Sequence, residues 1–249
     1  MDEEFDYGLE PGETFAPNGD DDEEFDPTQP HVMTILGSVD PGALGFTLHH
    51  EHIFNHVNPL AATDPDLVID DLASSAVDLQ LYAGAGGRAI VDMGSADYGR
   101  SIADLLWLAQ RSPVHLICTT GHHKDLIAAP WVGTDDAEVI TERNISEIRE
   151  GIEGTGVRAG VVKAGTSLNE ITDVERRVLE AAARTQVATG VPISTHTELG
   201  TMALEQIDIL TAAGADSTRI IIGHMDARLD DPAYLHQVLK RGVFLSFDR

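Results

Sequence analysis

Seven short, predominantly apolar runs recur along this chain without sustained apolar–polar alternation: Phe46 to Leu48, Ala89 to Val91, Val114 to Cys118, Gly160 to Val162, Val191 to Ser194, Ile220 to Ile222 and Val243 to Phe247. Strands covered on both faces read this way, and such strands belong to parallel sheets. Between them lie segments with helical spacing, among them 102–108 and 174–182. Thr172 and Glu175 predict a capping box for the second of these, and Gly190 suits its exit. Strand and helix in alternation predict an α/β fold, a (β/α) barrel. An open doubly wound sheet is the alternative. It would carry a Gly-rich first turn, and none follows Phe46 to Leu48.

The ends of these runs carry the chemistry. His50 and His52 close the first run, and side chains at i and i+2 of a strand share a face, so both can reach one cation. His49 and Glu51 are then expected to face the other way. Lys163, His196 and His224 close later runs at spacings of about one strand, one helix and their loops. Barrels place their catalytic groups at such carboxyl ends. A lone histidine in an apolar run is more often a hydrogen-bonded core residue, and His115 and His236 are read so. Four histidines and a lysine at successive strand ends are read together as a metal site.

Composition narrows the partners. The chain of 249 residues is 42% hydrophobic, enough for one sizeable core. Asp and Glu number 42 against 16 Lys and Arg, and a formal charge of -26 argues against nucleic acid or an anionic membrane. Lys124, Lys163 and Lys240 are the only lysines. Diffuse acid with scarce lysine predicts a halophilic protein whose stability falls at low salt. Cys118 stands alone in an apolar run, so neither disulfides nor a thiolate metal site is expected. No stretch is apolar enough to cross a bilayer and the acidic start is no secretory signal, so a cytoplasmic location is expected. Residues 1–31, rich in Asp, Glu, Gly and Pro, are read as a disordered acidic tail, and 32–249 as the barrel.

Gly45-Phe46-Thr47-Leu48-His49-His50-Glu51-His52, Val161-Val162-Lys163-Ala164-Gly165, Pro192-Ile193-Ser194-Thr195-His196-Thr197 and Ile222-Gly223-His224-Met225-Asp226 resemble, in order, the metal motifs of the phosphotriesterase family of the amidohydrolase superfamily. The resemblance runs from about Val32 to Arg249. It implies a (β/α)8 TIM barrel around two divalent ions, zinc first and manganese, cobalt or iron as alternatives. His50 and His52 would hold the more buried ion and His196 and His224 the more exposed one, with a carboxylated Lys163 bridging them and a bridging hydroxide as nucleophile. A desolvated lysine beside other cations can shed its proton and add carbon dioxide, which gives that modification a chemical route.

The resemblance also implies an aspartate ligand closing an eighth strand. Seven runs are counted before Arg249, so an incomplete barrel is expected, inactive or poorly folded by itself. His122, His123 and Lys124, in the loop after the third run, are candidate substrate contacts, as are Arg228 and Arg249. Asp92 and Asp226 are candidates for hydrogen bonding behind the ligands. Within the family the motifs lie nearest the phosphotriesterase-like lactonases, which implies a small-molecule lactone or ester substrate, with organophosphate triesters hydrolysed promiscuously. A truncated, non-catalytic relative that binds metal weakly and acts through association is the competing reading, and a homo-oligomer stays open.

Overall fold

Each of the seven apolar runs becomes a strand of one parallel sheet. A computed structural model of the chain describes residues 30–56, 60, 61, 64 and 67–248; residues 1–29 of the expected tail and Arg249 lie outside them. A small antiparallel hairpin of β1 (Val32–Thr34) and β2 (Gly37–Val39) comes first. The parallel strands follow as β3 (Phe46–Glu51), β4 (Gly87–Asp92), β5 (His115–Gly121), β6 (Val161–Gly165), β7 (Ile193–His196), β8 (Ile220–Ile222) and β9 (Phe244–Leu245). They pair in sequence order from β3 to β9, and β3 and β9 are not paired with each other. This is an incomplete TIM barrel.

The helices cover its outside: α1 (Leu72–Gly84), α2 (Ile102–Ala109), α3 (Asp125–Val132), α4 (Ala137–Arg149), α5 (Asp173–Thr189), α6 (Ala203–Ala212) and α7 (Pro232–Leu239). α5 starts on the expected capping box, with Glu175 N–H donating to Thr172 Oγ1 and Thr172 N–H to Glu175 Oε2, and ends on Gly190 at a φ of 80°. Val178, Leu179 and Ala182 on its inner face pack with Val162, Ile193 and Ile220 of the strands. A second apolar layer joins Leu79, Leu105 and Leu108 of α1 and α2 to Ile90 and Leu116. Burying each such Leu or Ile contributes about 1.5–3 kcal/mol. No helix among the described residues is long and apolar enough to cross a membrane.

Two local features differ from the sequence expectation. The β1–β2 hairpin was not anticipated, and two helices rather than one connect β5 to β6. The third difference bears on the site. The β3–β4 register shifts between Leu48 and Glu51. That irregularity breaks strict alternation, so His49 does not point away from the barrel but reaches Ser246, beyond β9, with Nε2 and Oγ 2.6 Å apart.

Candidate metal centre

The strand-end residues singled out above meet at the carboxyl end of the sheet. Their imidazoles, with the rings of Tyr98 and His123, form a closed circuit. Centroids lie 4.8 Å apart for His52 and Tyr98, 5.2 Å for Tyr98 and His123, and 4.4 Å for His123 and His196. The circuit continues through His224 (4.7 Å from His196) to His50 (4.6 Å) and returns to His52 (6.4 Å). Lys163, in the middle of β6, is fully buried. Burial first, and then the charge of Lys163 and the neighbouring imidazoles, pushes His50 and His123 well below the usual histidine range. Burial also takes His196 down to about 3, against the pull of Glu198. These imidazoles are therefore neutral at physiological pH.

Glycines permit the close approach. Gly121 ends β5 at a φ of 90°, and a Cβ there would fall on the carbonyl oxygen of Lys163. A Cβ at Gly223 would collide with the Thr195 carbonyl and crowd the His50 ring at 3.2 Å. His224 itself adopts a left-handed φ of 59°. That conformation costs a non-glycine residue about 1–2 kcal/mol and must be held by its surroundings.

The remaining candidates separate in space. Asp92 ends β4 fully buried, and its carboxylate accepts from the backbone N–H groups of Ile53 and Gly94, both at 2.8 Å, so it fixes the chain just after His52. Burial pushes its carboxyl upward against those bonds. His123 joins the ring circuit, and its Nδ1 accepts the Lys124 backbone N–H at 2.8 Å. His122 turns instead toward buried Asp97, 3.5 Å away. Lys124 is ion-paired with Glu198, whose carboxylate also lies 3.3 Å from His196 Nε2. The His196 bond first, and the Lys124 bond with it, takes Glu198 down to about 2 despite partial burial. Arg228 pairs with Asp231 at 3.3 Å and stacks over Tyr234. Asp226 is half-buried, with Oδ1 lacking a hydrogen-bond partner among the described residues. Arg249 lies outside the described residues.

Sequence reasoning missed Asp248. One oxygen each from Asp248 and one nitrogen each from His50 and His224 lie within 4.8 Å of one another. Asp248 follows the seventh apolar run just as His224 follows the sixth, so the strand-end rule that found the others points to it as well. Tyr98 and Glu198 were missed too; only Glu198 carried a signal, two positions beyond His196.

Known proteins place this arrangement. The description of the phosphotriesterase family matches residues 30–249. A phospho-furanose lactonase of Mycoplasmopsis agalactiae is 31% identical over 87% of this chain and 66% of its own length. A lactonase structure from Listeria monocytogenes superposes with a TM-score of 0.82 at 37% identity, covering 88% of this chain and 72% of that one. A variant of organophosphorus hydrolase from Deinococcus radiodurans does so at 0.78 and 36%, covering 88% and 68%. The chain spans about two thirds of the length of the curated relatives it matches. With its strand-end motifs in the family's order and a match that starts at Pro30, this chain belongs to the phosphotriesterase family.

Proposed function

We propose that this chain is a metal-dependent hydrolase of lactones or related carboxylic esters, with organophosphate triesters as promiscuous substrates. Its cofactors would be two divalent ions, zinc before manganese, cobalt or iron. The observation that carries the reading is the convergence of His50, His52, Lys163, His196 and His224 on one end of the sheet, with four of the five buried. His50 Nε2 is buried with no hydrogen-bond partner among the described residues. An unsatisfied buried acceptor costs about 1–3 kcal/mol, and a coordinated cation removes that cost. Imidazole nitrogen suits all four metals, and the only thiol, Cys118, lies buried elsewhere with its pKa pushed up to about 12 by desolvation.

His50 and His52 would hold one ion and His196 and His224 the other. Carbon dioxide added to Lys163 Nζ, with loss of a proton, would give a carbamate that supplies an anionic ligand to the same centre. When bound, such ions supply Lewis-acid polarisation of a carbonyl or phosphoryl oxygen and acidify water. The chain's other residues then orient the substrate. Because His123 Nδ1 accepts a backbone hydrogen, its proton sits on Nε2, and this neutral imidazole can donate to a substrate oxygen. Lys124 and Arg228 act within their ion pairs with Glu198 and Asp231 and shape the mouth rather than presenting free charge.

Metal analysis of the purified chain tests the first half of this reading, with about two ions per chain expected. A panel of lactones set against paraoxon-like triesters, assayed with a full-length homologue that carries all eight strands, tests the second. Lactones should turn over faster; triesters faster by orders of magnitude would overturn the substrate assignment.

A further inference from the structure

A carboxylate that none of the ligand motifs includes sits behind the centre, and its hydrogen bonds can be given directions by counting protons. Asp248 Oδ1 lies 2.7 Å from His224 Nδ1 and 3.1 Å from the His224 backbone nitrogen. Its Oδ2 is hydrogen-bonded to Ser246 Oγ and lies 3.3 Å from His50 Nδ1. Ser246 Oγ in turn lies 2.6 Å from His49 Nε2. An ionised carboxylate only accepts, and a serine has one proton to give. Ser246 therefore donates to Asp248 and must accept from His49 Nε2–H, while His224 Nδ1 must carry its proton toward Asp248. The directions are then fixed: His49 to Ser246 to Asp248, and His224 to Asp248.

We propose that Asp248 is a positioning residue for His224, held by the Ser246–His49 pair, and that it fixes the His224 tautomer whose Nε2 lone pair faces the metal centre. This rests on the reading of His224 as a metal ligand. Two observations separate it from direct ligation by Asp248. Both carboxylate oxygens are already engaged, Oδ1 by two donors and Oδ2 by Ser246 with His50 alongside. The same carboxylate holds both the ring and the backbone N–H of a residue in the left-handed region, which an orienting group must do and a ligand need not. Carboxylates behind metal-bound histidines characteristically set ring orientation and tautomer in this way.

The test uses the full chain with nitrogen-15-labelled histidine. In the metal-free protein, long-range proton–nitrogen spectra should show His224 protonated at Nδ1. Asp248→Ala should shift it toward the Nε2–H form, and Asp248→Asn, which keeps an acceptor oxygen, should restore much of the original signature. Zinc affinity by chelator competition should fall about 10–100-fold in Asp248→Ala, with the number of ions at saturation unchanged. Ser246→Ala, which leaves the carboxylate in place, should weaken zinc severalfold and keeps the proposal testable if Asp248→Ala does not fold. Loss of one whole equivalent of zinc in Asp248→Ala would make Asp248 a ligand and overturn the proposal. So would an Nε2–H tautomer at His224 in the unaltered protein. A chain that shows the Nδ1–H tautomer yet binds no zinc would instead sink the metal reading and leave the positioning role standing.

Discussion

The two ends of the sheet solve opposite problems. At the carboxyl end, imidazoles and carboxylates from β3, β7, β8 and the segment after β9 are buried against one another around Lys163. At the amino end a cavity of about 790 Å³ opens among Val32, Val91, Ile117 and Val161, rimmed by Arg158 and Arg219. Helices begin at the mouth on Asp71, Asp136, Thr172 and Asp231, whereas α4 ends at the floor on Arg149. The helix dipole favours the three aspartates and Arg149 at these positions. Volume and chemistry are thus separated: among the described residues the one cluster able to hold a metal ion, His50, His224 and Asp248, lies at the crowded mouth and not in the roomy cavity. In barrels of this class reactivity belongs to the carboxyl end and stability to the other.

Exchanging single residues at the two ends gives the largest contrast. On the proposed metal reading, His50→Ala or Lys163→Met should lower zinc affinity by several orders of magnitude, because each would remove a proposed donor and Lys163→Met the proposed bridge as well. Arg158→Ala on the floor should leave it within about twofold. Calorimetric or chelator-competition titration of the three variants makes the measurement. Equal losses at both ends would dissolve the functional distinction between mouth and floor.

A second contrast concerns an ion pair between buried Arg100 and part-buried Glu147 that ties the mouth to the helical shell. Arg100, following β4, donates to both oxygens of Glu147 on α4 at 2.9 Å and to the Thr119 carbonyl of β5 at 2.7 Å. Removing Arg100 leaves the part-buried Glu147 carboxylate unpaired, so Arg100→Met should cost up to about 3 kcal/mol in urea unfolding. Its pH dependence has a defined sign. Burial raises the Glu147 carboxyl, but the Arg100 bonds outweigh it and hold the group below its ordinary value. The pair's contribution is therefore complete above the unfolded carboxylate range and is lost as pH falls through the depressed folded value. A variant lacking Arg100 should show a flatter acid limb, and an unchanged limb would mean that the pair does not set acid stability.

How far each end could be read in the sequence follows from how local its interactions are. The strands were legible because burial on both faces leaves unbroken apolar runs, as Ile220, Ile221 and Ile222 show. Four ligand candidates and Lys163 were legible because each closes such a run. His49 was misdirected because alternation holds only for a regular strand, and the register shift beside it depends on pairing with β4. Its partner Ser246 lies 197 positions away, and Asp248 lies 24 positions from His224, so nothing in either local sequence announces the contact. The β1–β2 hairpin escaped because three-residue strands are too short to display a period.

The smallest contrast compares the two ends of a single helix. α5 begins at the mouth on Thr172, whose hydroxyl accepts the Glu175 N–H and donates to Asp125, while the Glu175 carboxylate also accepts from Ser167 and Asp125. It ends at the floor on Gly190, in the left-handed region. Thr172→Ala and Gly190→Ala should each cost about 1 kcal/mol, the first through a lost cap and the second through backbone strain. Their reach should differ. Losing Thr172 loosens a hub that joins the β6–α5 loop to the start of α3, so amide exchange should quicken at Asp125 and Thr172 as well as at Glu175. Losing Gly190 should quicken exchange only in the last turn of α5, because its N–H bonds to Gln186 within the same helix. If both variants loosened Asp125 equally, the two ends of α5 would belong to one cooperative unit, and the division between a wired mouth and an independent floor would fail at this helix.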